Sequence, residues 1–143
     1  MTIEGGIRLS NKQAYSLLLD FDSAFNPALH EELDLSVYSQ KLATNAYFIL
    51  AKDGANNTGF IAYYLNNEGQ FCYIPLLAVN NSFRNCGIAK GMLRELYSNT
   101  PDSIKNIVLE VDKNNVTARS FYRSEEFYVV EDREKKLLLK RTL

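Results

Sequence analysis

Near the start of the chain, apolar residues recur at helical spacing. Ala14, Leu17, Leu18 and Phe21 stand at i, i+3, i+4 and i+7, one face of a helix. Ser10 and Gln13 precede them in the form S-x-x-Q, a capping box. Asn26-Pro27 breaks the pattern. A second short helix is expected from Ser36, with Tyr38 and Leu42 on one side. The pattern then changes. Tyr47 to Lys52 and Gly59 to Leu65 read as strands, separated by the turn residues Asp53-Gly54 and Asn56-Asn57. Gln70 to Val79 is a third strand after the turn Asn66-Asn67-Glu68-Gly69, and the spacing predicts an antiparallel meander. Pro75 lies inside this third strand. Proline cannot donate to a ladder, so it marks an edge or a bulge. Asn80 to Phe83 lead into a turn and a helix with Ala89, Met92, Leu93 and Leu96 inward. Ile104 to Val111 is apolar and β-branched, as in a buried strand. A helix follows, capped within Asp112 to Asn115, with Ala118, Phe121 and Tyr122 on its inner face. Phe127 to Val130 and Lys136 to Lys140 close the chain as a hairpin. No strand is legible in Met1 to Leu9, so the fold is expected to start late. The order predicts one α/β domain with a mixed sheet flanked by helices.

Composition narrows the class. The chain has 143 residues, 46% hydrophobic, with a formal net charge of −1. A disordered chain would be less apolar and more charged. A nucleic-acid binder would carry a basic excess. No apolar run reaches the ~20 residues of a membrane span, and Met1 to Ser10 lacks a signal-peptide layout. A soluble cytoplasmic protein, monomeric or homodimeric, is expected. Cys72 and Cys86 are not expected to pair in that compartment. Together with the lone His30 they are too few for a zinc site, so no metal is expected.

The small net charge conceals two stretches of opposite sign. Gln13 to Gln40 contains Asp20, Asp22, Glu31, Glu32 and Asp34 and no Lys or Arg. Asn80 to Arg94 contains Arg84, Lys90 and Arg94 and no acid. Each stretch reads equally as solvated surface or as a site, the first for a cation and the second for an anion. The basic one passes from a strand through a loop into a helix. Free N–H groups at a helix N-terminus bind anions, and Gly87 lets backbone approach a ligand closely. The loop is neither a P-loop nor a dinucleotide fingerprint.

Two segments together are more specific. Arg84-x-x-Gly87-x-Ala89 follows a strand ending Leu77-Ala78-Val79. Further on comes Asn115-x-x-Ala118-x-x-Phe121-Tyr122-x-x-x-Glu126-Phe127. The first resembles the acyl-CoA loop of the GNAT family of N-acetyltransferases, and the second resembles that family's N-x-x-A-x-x-[FLY]-Y-x-x-x-G-F signature. The resemblance covers about residues 45–143, with 1–44 as a helical acceptor-side region. It implies a mostly antiparallel sheet with splayed central strands, acetyl-CoA as co-substrate and direct acetyl transfer to an amine. The backbone of Arg84, Asn85, Cys86, Gly87, Ile88, Ala89 and Lys90 would hold the pyrophosphate. The strand Leu77, Ala78 and Val79 would pair with the pantetheine arm and aim an N–H at the thioester carbonyl. Asn115 would contact the pantetheine or help to splay the strands. Tyr122 would be the general acid. The expected acceptor is the primary amine of a small molecule or amino sugar. The alternatives are a protein or peptide amine, and an acyl-CoA-binding module without turnover.

The chain departs from the family pattern at Asn81 and Glu126 and in having no legible first strand, while Pro75 is consistent with the family's bulge in the central strand. Asn81 replaces a proline. Glu126 replaces glycine, which at a left-handed φ costs on the order of 1 kcal/mol unless the turn has changed. No acid stands in the strand Gln70 to Val79, so the base is open among Glu68, Asp112, His30 and water relayed through Tyr73. Tyr63, Tyr64 and Tyr73 line either an acceptor pocket or the core.

Overall fold

A computed structural model describes all residues from Met1 to Leu143. Seven strands form one sheet in the order β1-β2-β3-β4-β5-β7-β6. They are β1 (Thr2–Ile7), β2 (Tyr47–Asp53), β3 (Asn56–Asn66), β4 (Phe71–Val79), β5 (Asn106–Asp112), β6 (Tyr128–Arg133) and β7 (Lys136–Thr142). The helices are α1 (Asn11–Phe21), α2 (Leu29–Glu32), α3 (Leu35–Asn45), α4 (Ile88–Asn99) and α5 (Val116–Ser124). This is the mixed sheet with flanking helices that the chain pattern predicts, and it is mostly antiparallel, as the resemblance implies.

The expectation of a late start is corrected. Thr2–Ile7 pairs antiparallel with β2 and shifts register between Glu4 and Ile7. Gly5 and Gly6 interrupt the strand, and Gly6 has φ 65°. Two adjacent glycines and a bulge erase the alternation that reveals a strand. The region before residue 45 is therefore not wholly helical.

The fold divides into two compact units, residues 1–63 with 76–99 and residues 64–75 with 100–143. The division falls within β3 and β4. In the first unit, Ser10 caps α1 as predicted. Its hydroxyl accepts from Gln13 N–H at 3.1 Å, and Gln13 Oε1 accepts from Ser10 N–H at 2.9 Å. Such a cap contributes about 1 kcal/mol. Asp34 caps α3 by accepting from the Ser36 and Val37 amides at 3.0 and 3.2 Å. Leu17, Leu18 and Leu42 from these helices are buried, and Phe21 meets Phe60 of β3 edge to face.

In the second unit, β5 lies between β4 and β7. Cys72 and Ile74 of β4, Ile107, Leu109 and Val111 of β5, and Leu137 and Leu139 of β7 are buried. The alternate residues Tyr73, Val108, Glu110 and Leu138 are half-buried. Burial pushes the Cys72 thiol up to about 12, which makes it inert, and both cysteines are free thiols.

The turn after α5 decides the fate of Glu126. Glu126 N–H donates to Arg123 O at 3.0 Å and Phe127 N–H to Tyr122 O at 2.9 Å. This is a Schellman motif with Glu126 at the left-handed position, φ 69°. The turn is unchanged and the expected strain is present. Arg141 braces it by donating to Glu125 O and by an ion pair to Glu126 Oε2 at 3.3 Å. The Glu126 side chain is 79% exposed, so the pair offsets little. Glu126→Gly is expected to stabilise the protein by about 1 kcal/mol, measured as a higher midpoint in urea with unchanged slope.

Candidate functional site

The first unit carries the end of β4, the following loop and α4. Ala78 is buried, and Leu77 and Val79 are half-buried on the opposite face. The parallel ladder between β4 and β5 runs from Phe71–Asn106 to Ile74–Leu109 and ends there. The next residue is Pro75, which has no N–H to continue it. Pro75 therefore sits in a central strand and marks where that strand leaves its neighbour. Leu77, Ala78 and Val79 lie beyond that point, with no registered partner on β5.

The loop is fixed at its start. A register shift in β3 frees the Thr58 carbonyl, which accepts from Asn80 N–H at 2.8 Å. Asn80 Oδ1 accepts from Ser82 N–H at 2.9 Å, and Asn80 O accepts from Phe83 N–H at 2.9 Å. Arg84 then donates to Ala24 O at 3.1 Å. Asn85 and Gly87 have φ of 64° and 77°. A Cβ placed on Gly87 would meet no protein atom within 4 Å, so the space beside it is open. The first backbone bond of α4 runs from Gly91 N–H to Gly87 O at 3.0 Å. The amides of Ile88, Ala89 and Lys90 precede it and have no intrahelical acceptor.

Glycine also seats α4. On Gly59 of β3, a Cβ would lie 3.0 Å from Ala78 O and 3.1 Å from Ile88 Cγ2. On Gly91, it would lie 2.8 Å from Ile3 of β1. The helix start therefore rests directly on the sheet beside the end of β4. Arg84, Lys90 and Arg94 on this loop and helix are exposed. Oriented amides, open space at a left-handed glycine and positive charge suit the pyrophosphate of a nucleotide. The residues expected to hold the pyrophosphate, Arg84 to Lys90, and those expected along the pantetheine arm, Leu77 to Val79, belong to this one unit. Cys86 is exposed there, with its Sγ 3.6 Å from Arg84 O.

The second unit carries Asn115 and Tyr122 on α5. Asn115 is the N-cap, its Oδ1 accepting from Ala118 N–H at 3.0 Å. The second signature's asparagine thus has a structural task of its own. Tyr122 is buried, and its ring meets Phe121 and Phe127 edge to face at 5.3 and 5.4 Å. The Phe127 contact is the hydrophobic pair that accompanies a Schellman motif. The spacing Y-x-x-x-[G]-F therefore has a packing reason.

The acidic stretch is largely committed to structure. Asp22 accepts from His30 N–H at 2.8 Å and pairs with His30 Nδ1 at 2.6 Å. The His30 backbone N–H, more than any other group, holds this carboxyl below its usual range. Glu31 Oε2 accepts from Ala28 N–H at 3.1 Å, and Asp34 caps α3. Asp20 and Glu32 remain for other work. Tyr63 is buried and stacks on Tyr47, so it belongs to the core.

Of the base candidates, Glu68 and Asp112 are exposed and His30 is held by Asp22. Tyr73 is half-buried, and its hydroxyl donates to Glu110 Oε1 at 3.5 Å. Burial raises its pKa first, and the Glu110 charge raises it further. Glu110 went unnoticed in the chain pattern. It occupies a half-buried position of a strand that reads as wholly apolar, and its partner Arg133 is 23 residues away.

The Acetyltransferase (GNAT) family model matches residues 12–127. The chain belongs to the GNAT acetyltransferase family. As a GNAT protein it is an acetyltransferase enzyme. Solved structures of similar fold include the PaiA N-acetyltransferase of Thermoplasma acidophilum in complex with coenzyme A, at 17% identity and TM-score 0.79, covering 100% of both chains. An acetyltransferase of Thermus thermophilus is 18% identical at TM-score 0.80, covering 100% of this chain and 98% of that one. A ribosomal-protein-alanine N-acetyltransferase of Brucella melitensis is 15% identical at TM-score 0.74, covering 100% of both. A search of curated proteins by sequence finds no match. No helix of this GNAT chain is long and apolar enough to cross a membrane.

Proposed function

We propose that this GNAT protein transfers acetyl from acetyl-CoA directly to the primary amine of a small molecule or amino sugar. The observation that carries the reading is the start of α4. There, open space beside left-handed Gly87 adjoins amides with no intrahelical acceptor and three basic side chains. When bound, acetyl-CoA supplies an activated acetyl thioester. The loop and first turn from Arg84 to Lys90 hold the pyrophosphate, mainly through backbone N–H groups. Leu77, Ala78 and Val79 offer the pantetheine arm a strand edge that β5 does not use. A backbone N–H of these residues donates to the carbonyl oxygen as it gains negative charge. Asn115 orients the start of α5. Tyr122 gives a proton to the departing thiolate.

Positioning supplies much of the acceleration. The amine must reach the thioester uncharged, and no side chain of the β4 segment is a carboxylate. The complex of the Thermoplasma acidophilum relative with coenzyme A supports the nucleotide assignment. The ribosomal-protein-alanine enzyme among the relatives makes a protein amine the second reading.

The test is release of CoA thiol over a panel of small amines, amino sugars and N-terminal peptides. Turnover of small amines or amino sugars is expected. Acetylation of peptides alone moves the acceptor to the second reading. Acetyl-CoA binding without turnover on any acceptor overturns the catalytic one.

A further inference from the structure

The first unit also carries a cleft outside the residues assigned to acetyl transfer. It has a volume of about 370 Å³ and lies between α1 and the strands β1, β2 and β3. On α1 its wall is Gln13, Ser16, Leu17 and Asp20, which stand at i, i+3, i+4 and i+7 on one face of that helix. On the sheet its floor follows from register. Glu4 of β1 stands opposite Leu50 of β2, and Lys52 of β2 stands opposite Asn57 of β3. Leu50 and Lys52, two residues apart on one strand, point to the same side of the sheet. Phe21, the last residue of α1, meets Phe60, which also stands opposite Leu50. The end of α1, and with it Asp20, therefore lies over the row that holds Glu4.

The charges that line this cleft are not spent on one another. Glu4, Asp20 and Lys52 take part in no ion pair. Arg8 is engaged, since it donates to Thr44 O and lies over the Tyr47 ring at 4.9 Å. Asn57 is half-buried, and its Oδ1 is buried with no hydrogen-bond partner. An unmet acceptor of this kind costs stability until a donor reaches it. The terminal amide torsion of asparagine is soft, so the oxygen turns toward the cleft without a hydrogen bond to break. Two carboxylates and this amide oxygen match the three N–H donors of a primary ammonium group. Lys52 is the uncommitted cation and matches a carboxylate. Buried Leu17 and Leu50 add apolar surface. The charges of Glu4, Arg8, Asp20 and Lys52 sum to zero, so a ligand with both charges is favoured over a plain anion or cation.

We propose that this cleft binds a free α-amino acid with an aliphatic side chain. Glu4, Asp20 and Asn57 hold its ammonium group, and Lys52 holds its carboxylate. The proposal goes beyond the transfer reading and does not rest on it. β1 is an edge strand, and β2 and β3 separate it from β4. No lining residue belongs to Leu77–Val79 or Arg84–Lys90. The volume of the cleft is within the range of small-molecule sites. Asp20, left over from the caps of the acidic stretch, gains a task there.

The experiment titrates the intact, isotope-labelled protein, without acetyl-CoA, with L-leucine. Sodium isocaproate and isopentylammonium chloride run in parallel, each lacking one of leucine's two charged groups. The readout is the backbone amide NMR signals. Saturable shifts are expected at Glu4, Asp20, Lys52 and Asn57, with each analogue weaker by about 10-fold or more. The dissociation constant for leucine is expected to rise about 10- to 100-fold in Asp20→Asn and in Lys52→Gln, the range for losing a hydrogen bond to a charged group. Thermal midpoints of the unliganded variants show that both fold. An analogue that binds as tightly as leucine, unaltered affinity in either variant, no saturable shift, or shifts confined to Leu77–Val79 and Arg84–Lys90 overturns the proposal. Acetylation of amines is measured separately, without leucine, and is expected to be unchanged in Lys52→Gln. A loss of turnover in that variant makes the cleft part of the transfer site and also overturns the proposal. A protein that binds leucine but acetylates nothing overturns only the transfer reading.

Discussion

Tyr122→Phe is expected to lower turnover by about 10²- to 10⁴-fold, the range for losing a positioned proton donor, with acetyl-CoA affinity retained. Expulsion of a thiolate is faster when a proton arrives as the C–S bond breaks. Phenols and thiols titrate at about 10 and about 8.5, close enough for the proton to move either way without a large barrier. Phenylalanine keeps the ring that meets Phe121 and Phe127 edge to face, and the cap bond from Phe127 N–H to Tyr122 O involves only backbone. Thermal unfolding of the variant, measured alongside, reads any loss of stability apart from the loss of turnover. Steady-state turnover and calorimetric titration with acetyl-CoA separate the two effects. Near-normal turnover removes Tyr122 from the chemistry and leaves it as a packing residue.

Gly87→Val is expected to abolish acetyl-CoA binding. Two costs combine at this position. A β-branched residue at φ 77° carries strain on the order of 1–3 kcal/mol. That strain lowers stability and is seen without any ligand. The second cost appears only with the ligand. A Cβ here meets no protein atom within 4 Å, so the apo protein has room for the side chain. A pyrophosphate held by the amides of the helix start would not have that room. The melting temperature of the apo variant should fall modestly, while the upward shift on adding acetyl-CoA should vanish. An undiminished shift contradicts the cradle. Gly87→Ala should give an intermediate result, since one methyl group intrudes less and strains φ less.

Local signals account for what was legible without a structure. Caps are short-range chemistry, so Ser10 with Gln13 and Asn115 with Ala118 follow from spacings of three residues. Burial alternates strictly in β4 and β5, and alternation is what a period of two records. Glu126 was readable as a strained position only because the family resemblance places glycine there, and the structure supplies the reason in a Schellman turn with φ 69°. Strand β1 was not readable. Its pairing with β2 spans more than 40 residues of chain, and its glycines carry no side-chain pattern. Residues 1–9 therefore gain strand identity only from their neighbour. Glu110 was missed for the opposite reason. Its surroundings in β5 are so apolar that the strand reads as buried on both faces, whereas one face is half-exposed and polar.

The chain alone determined the strands and the longer helices after residue 9, though not the short α2, and which family's two signatures it carries. These depend on residues within a few positions of one another. Tertiary structure decided the assignments that depend on distant partners. It turned three of the five acids of the 13–40 stretch into caps and a His30 pair. It ended the β4–β5 ladder at the residue before Pro75. It also brought Tyr73, Glu110 and Arg133, which are far apart in the chain, into one hydrogen-bonded group. The physical reason is common to all three. Charge and hydrogen-bonding capacity are properties of a residue type, but whether they are spent or available is set by what the fold places within about 3 Å.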